Sequence, residues 1–182
     1  MHETTVKIRL FGDPILRKRA RSVKEITQSQ RDILSQMSRI MYESLGIGLA
    51  APQVGISEAM IVVDIGSCLF KLINPKIIKK EGLMVLEEGC LSIPGVCIKV
   101  KRAKKVKILA QDEFAKPLTL EAEDLLARVF QHEIDHLRGK LIVDYASFFD
   151  KLKMAKKLEE LKKSAKDERL FEQEAKSCKL QL

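Results

Sequence analysis

Apolar positions along this chain change period several times, and each change marks an element. Ile33, Leu34, Met37, Ile40, Met41 and Leu45 recur at helical spacing. They follow Thr27-Gln28-Ser29-Gln30, which has the form of a capping box, with Thr27 at the N-cap and Gln30 three residues on. The pattern predicts a helix over about 28–45, ended by Gly46. GIGLAAPQVG (46–55) follows, too rich in glycine and proline for a regular element. MIVVDI (60–65) is a continuous apolar run, as in a buried strand, and FKLINP (70–75) reads as a second strand stopped by Asn-Pro. LMVLEEGCLSIPG (83–95) predicts a strand, a bend and a turn. CIKVKRAKKVKILAQD (97–112) alternates apolar and polar, which suits half-buried antiparallel strands with the basic residues outward, and PLTLEAE (117–123) adds one more strand.

The helical period returns over about 124–138. Leu125, Val129, His132 and His136 share one stripe, Leu126, Phe130, Glu133 and Leu137 the next, and Gly139 stops the run. Two histidines and a glutamate on or beside an apolar face predict a central, buried helix. From 148, FFDKLKMAKKLEELKKSAKDERL is charged and amphipathic, and the last ten residues are expected to fray. The sum is an α+β fold: short antiparallel sheets packed around a central helix that bears HExxH, with an N-terminal and a C-terminal helix.

Composition narrows the class without choosing a function. With 46% hydrophobic and 32% charged residues among 182, the chain reads as a globular domain able to bury a core without disulfides. No run approaches the roughly 20 apolar residues needed to span a bilayer, and the start carries no apolar leader, so a cytoplasmic protein is expected. Cys68, Cys90, Cys97 and Cys178 do not suggest a disulfide framework, and most are expected to be buried free thiols. The net charge of +8 concentrates in RKRAR (17–21), KVKRAKK (99–105) and the C-terminal stretch. Such patches suit a polyanion such as RNA; they also suit a solvated surface.

QHEIDH (131–136) carries the chemistry. Histidines four apart on a helix are neighbours and can share one ion, with Glu133 beside them to act on a water. The only other histidine is His2, at the terminus, so a third protein ligand must be a cysteine or a carboxylate. Cys90, between Gly89 and Leu91 at a bend, is the strongest candidate for a site with three protein ligands and an open position. It would also serve as a small buried hydrophobe.

GIGLAAPQVG, EGCLSIPG (88–95) and QHEIDH together resemble, in order and spacing, the three motifs of the peptide deformylases, and the likeness extends over roughly 5–147, including PILR (14–17). The resemblance implies one catalytic domain over 1–147, with 148–182 as a charged amphipathic helix and tail. It implies a hydrolase that removes the N-formyl group from the formylmethionine of new polypeptides and releases formate. Cys90, His132 and His136 would bind one divalent ion, ferrous iron by family habit, with zinc, nickel or cobalt able to substitute. Glu133 would be general base and acid. Gln53 and the Leu91 N–H would form the oxyanion hole, Ile47 and Gly48 would pair with an extended substrate, and Leu125 and Val129 would line the methionine pocket. Glu88 and Asp135 would orient ligands, with Arg102 as counter-charge. Cys97 and Arg128 are placed near the pocket rim. Expected partners are nascent formyl-Met chains and the ribosome, the latter through the basic patches and the C-terminal helix; neither a membrane nor DNA is expected. Two other readings stand beside this one. A different HExxH metallopeptidase lacks a third histidine or glutamate ligand after Leu137, and a ribosome- or RNA-binding module would make the basic patches the main business.

Overall fold

The capping box opens the first helix as expected. In the computed structural model, described over residues 7–165, α1 spans Gln28–Glu43. The Thr27 N–H donates to Gln30 Oε1 at 3.1 Å, and Thr27 Oγ1 accepts from the Ser29 N–H at 3.2 Å. The other end departs from the sequence reading. Leu45, not Gly46, takes the left-handed position (φ 57°), with Leu45 N–H bonded to Tyr42 C=O at 3.0 Å and Gly46 N–H to Met41 C=O at 2.9 Å. Gly46 is needed for space instead: a Cβ there would lie 2.8 Å from Leu91 Cδ1.

The strands are β1 (Gly48–Ala50), β2 (Met60–Val63), β3 (Phe70–Glu81), β4 (Met84–Glu88), β5 (Ile98–Arg102), β6 (Lys105–Gln111) and β7 (Pro117–Glu123). They form an antiparallel five-stranded sheet in the order β1-β2-β3-β6-β7 and a separate β4–β5 hairpin. The alternating stretch 97–112 is therefore divided between two sheets at Ala103–Lys104. β3 does not stop at Asn74-Pro75, as the sequence suggested. Asn74 adopts φ 53° and the register with β6 shifts between Ile73 and Lys76, so the proline sits in a bulge where its missing donor costs no ladder bond. The Asn74 side chain is occupied in holding both backbone groups of Val23, at 2.9 and 2.8 Å.

β2 shows why its apolar run is unbroken. Met60 and Val62 face α1 with Leu34, Met37 and Met41, while Ile61 and Val63 face the opposite core. That second core is built on α2 (Asp124–Leu137), whose residues are buried from Ala127 to Leu137. Gln131 fixes α2 to the division between the two sheets: its Nε2 donates to Ala103 C=O at 2.9 Å and its Oε1 accepts from Ala103 N–H at 3.1 Å. Gly139 (φ 71°) ends α2 as predicted, with its N–H on His136 C=O at 3.1 Å and Lys140 N–H on Asp135 C=O at 2.9 Å. α3 (Phe148–Ser164) packs Met154 and Leu161 into a third cluster that contains Leu16, Cys90, Ile98 and Val100. No helix among the described residues is long and apolar enough to cross a membrane. His2, Cys178 and the expected fraying of the last ten residues lie outside the described residues.

Candidate metal centre

α2 and the bend after β4 bring three donor atoms together. Cys90 Sγ lies 3.3 Å from His136 Nε2, which lies 3.3 Å from His132 Nε2, and all three side chains are buried. A tetrahedral ion with bonds of about 2.05 Å to nitrogen and about 2.3 Å to sulfur needs N···N edges of about 3.3 Å and N···S edges of about 3.6 Å, so the trio fits one. Among the described residues it is the one such group of possible metal-ligating side chains.

Protonation favours the same reading. His132 Nδ1 is 3.1 Å from Glu88 Oε2. Burial pushes Glu88 up, but hydrogen bonds and charge from His132 and Arg102 outweigh it and hold the carboxyl at about 2. An ionised Glu88 accepts from Nδ1 and so turns Nε2 toward His136. Burial, helped by His132, Arg102 and Arg17 nearby, lowers His136 well below the usual imidazole value. Burial also pushes the Cys90 thiol up. Two imidazole nitrogens and a sulfur converge within contact distance of one another, a donor set that suits one cation.

The predicted surroundings are largely assembled. Arg102 donates to both Glu88 oxygens at 2.6 and 2.9 Å and to Asp135 Oδ2 at 2.8 Å. Tyr145, which the sequence reading did not single out, donates to the same Asp135 oxygen at 2.7 Å and stacks its ring under the Arg102 guanidinium, 5.2 Å from centroid. Gln53 is fully buried; its Oε1 accepts from Ala50 N–H at 2.8 Å, which turns Nε2 toward Cys90 Sγ at 3.6 Å and Ser92 Oγ at 3.3 Å. Leu91 follows Cys90 in a turn closed by Ile93 N–H on Cys90 C=O at 2.8 Å. Ile47 and Gly48 lie at β1, the edge of the large sheet, and Val129 is buried beside them while Leu125 is half-buried.

Glu133 is 0% exposed and neither of its carboxylate oxygens has a partner. Burial first, then the neighbouring charges of Glu88 and Asp135, raise it well above the usual carboxylate range, against the pull of Arg102. Gly48 makes room for it: a Cβ would strike Glu133 Oε1 and lie 2.8 Å from Val129 Cγ1. Gly48→Ala is accordingly expected to displace Glu133 and lower kcat/KM by roughly 100-fold, the scale of a 1 Å misplacement. Metal content should hardly change, since the atoms nearest that Cβ belong to Glu133 and Val129; steady-state kinetics with metal analysis checks both.

Two expectations are corrected. Arg128 is not at a pocket rim but 1% exposed, on Glu88. Cys97 is half-buried and disulfide-bonded and Cys68 is free but exposed, so among the described cysteines Cys90 alone is a buried free thiol. Arg128 did leave a signal, being a charge on the apolar side of α2 between Leu125 and His132.

The chain matches the family described as polypeptide deformylase over residues 5–152. It is 50% identical over 141 residues to a peptide deformylase of Halothermothrix orenii, covering 76% of this chain and 92% of that one. The crystal structure of the Thermotoga maritima peptide deformylase superposes with TM-score 0.76 at 43% identity over 78% of this chain and 97% of that one. A Synechococcus elongatus peptide deformylase in complex with actinonin gives 0.80 at 41%, covering 88% of each.

Proposed function

This chain belongs to the polypeptide deformylase family and removes the N-formyl group from newly made polypeptides; from that premise we propose how its own residues carry the reaction. The facing trio of Cys90 Sγ, His132 Nε2 and His136 Nε2, with the unpartnered Glu133 carboxylate beside it, is the observation on which the reading rests. The trio holds one divalent ion. When bound, that ion supplies Lewis acidity: it acidifies a water toward neutral pH and polarises the formyl carbonyl. A thiolate ligand favours iron or zinc over hard cations, and ferrous iron is the expected physiological occupant.

Glu133 takes the proton of the attacking water and delivers it to the departing amine nitrogen as the C–N bond breaks. Gln53 Nε2, already turned toward Cys90, and the Leu91 N–H donate to the oxygen that becomes negative at the tetrahedral stage. The free edge of β1 accepts the extended peptide through Ile47 and Gly48, and Leu125 and Val129 contact the methionine side chain. The test is formate release from a formyl-Met peptide by anaerobic, iron-loaded or nickel-loaded protein, with metal counted per chain. No formate, or cleavage of internal bonds in an unformylated peptide, would overturn the reading.

The ribosome is the proposed second partner, through α3. Exposed Lys151, Lys153, Lys156, Lys162 and Lys163 give this helix a basic outer face. Because Met154 and Leu161 are packed with Cys90 in one cluster, deletion of α3 would confound docking with unfolding. Reversing Lys153 and Lys156 to glutamate tests docking cleanly. Co-sedimentation with ribosomes at low salt should weaken severalfold while peptide deformylation is unchanged; unchanged sedimentation would remove the ribosome from this account.

A further inference from the structure

Arg128 has no part in the reaction described above, yet it is the largest fully buried side chain among the described residues. A buried guanidinium is costly unless its donors are met. Here Nη1 donates to Glu88 Oε1 and, at 3.1 Å, to Val100 C=O, while Nη2 donates to Met84 C=O at 3.0 Å; Nε has no partner. The three acceptors have one thing in common. Met84 and Glu88 are the two ends of β4, and Val100 is the middle of β5, so all lie on the hairpin that leads directly into Gly89 and Cys90. Arg128 itself is one turn before His132 on α2.

We propose that Arg128 is a positioning residue that clamps the β4–β5 hairpin to α2 and thereby holds Cys90 at ligand distance from His132 and His136. The hairpin belongs to a different sheet from the one α2 covers, and its strands pair with each other alone. Polar ties across the gap come from His132 Nδ1, 3.1 Å from Glu88 Oε2, and from two arginines. Arg102 reaches from β5 to Asp135 on α2, and Arg128 reaches from α2 back to both strands. Arg128 also divides the labour on Glu88. It loads Oε1 together with Arg102 Nε, while Oε2 accepts from Arg102 Nη2 and from His132 Nδ1. Without Arg128 the fork of Arg102 still holds Glu88, but the hairpin loses its bonds from α2 to Glu88, Val100 and Met84, and Cys90 loses a fixed reference. The fork geometry matters, because three acceptors in different directions suit a planar guanidinium and not a compact ammonium.

The inference rests on Cys90, His132 and His136 holding the ion, and the experiment separates the two claims. Wild type, Arg128→Met and Arg128→Lys are loaded with cobalt, and the rate of loss to excess chelator is followed by the thiolate–cobalt absorption band. Arg128→Met should release cobalt roughly 10- to 100-fold faster, the usual scale for outer-sphere support of a ligand. Amide exchange over 84–90 should quicken in its metal-free form, and Arg128→Lys should fall between the two. A merely structural role would lower the melting temperature and leave the release rate and the band as in wild type; that result overturns the proposal. If Arg128→Met does not fold, Arg128→Lys decides, and release as slow as wild type again overturns it. Wild type that binds no stoichiometric cobalt overturns the metal reading itself, and this inference with it.

Discussion

Glu133→Gln is expected to lose activity by roughly 100- to 10,000-fold, the contribution typical of a positioned general base and acid. The substitution keeps size and shape, and it removes the ability to accept and return a proton. Neither carboxylate oxygen is engaged by the protein, so no network collapses when one becomes an amide. The fully buried setting that raises Glu133 also keeps bulk water from substituting for it. Metal content should stay at the wild-type level, because Cys90, His132 and His136 are untouched. Formate-release kinetics beside metal analysis gives the answer: full activity with full metal would falsify the role assigned to Glu133.

The second large effect concerns stability. Glu88→Ala leaves Arg128 facing two carbonyls and Arg102 with Asp135 alone, both inside the protein. Breaking a buried ion pair from one side typically costs about 3–5 kcal/mol, which for a chain of this size lowers Tm by roughly 10 °C. The acid limb provides a second readout. Glu88 sits at about 2 in the folded chain against an ordinary 4.5. Its contribution is therefore complete above about pH 4.5 and is lost as pH falls toward 2, an amount on the order of 3 kcal/mol. Urea titrations of metal-free protein between pH 6 and 3 should show this loss in wild type and a shallower one in Glu88→Ala. Parallel acid limbs would mean that Glu88 does not carry the dependence.

Much of this architecture was legible from period and punctuation. Strand 117–123 and the helix closed by Gly139 follow from local rules, and those rules act here without opposition. Where the sequence misled, a tertiary contact outweighed a local preference. Asn-Pro reads as a strand stop, yet Asn74 spends its side chain on Val23 and lets β3 continue through a bulge. Gly46 reads as a helix terminator, yet its lack of a side chain serves Leu91. The proposed ligand trio was legible because a two-histidine helix demands a third donor, and the bend at Gly89 together with the family motifs singled out Cys90. The supporting shell was less so. The alternating strand itself reads Arg102 as one more outward basic residue; only the family resemblance set it beside Glu88 and Asp135, to both of which it donates. Gln131 is inside the motif, but its grip on Ala103 could not be inferred before the two sheets were known to divide there.

The ligand trio has one consequence unrelated to catalysis. Cys90 and His136 stand 46 residues apart, and the intervening chain contains β5, β6, β7 and nearly all of α2. An ion held by both ends closes that segment into a ring. In chain-entropy terms a ring of this size is equivalent to a cross-link worth about 4 kcal/mol against the unfolded ensemble, much as a disulfide would be. The centre thus ties the hairpin, half of the large sheet and the central helix into one covalent-like loop. An enzyme stripped of its ion loses a staple as well as a reagent.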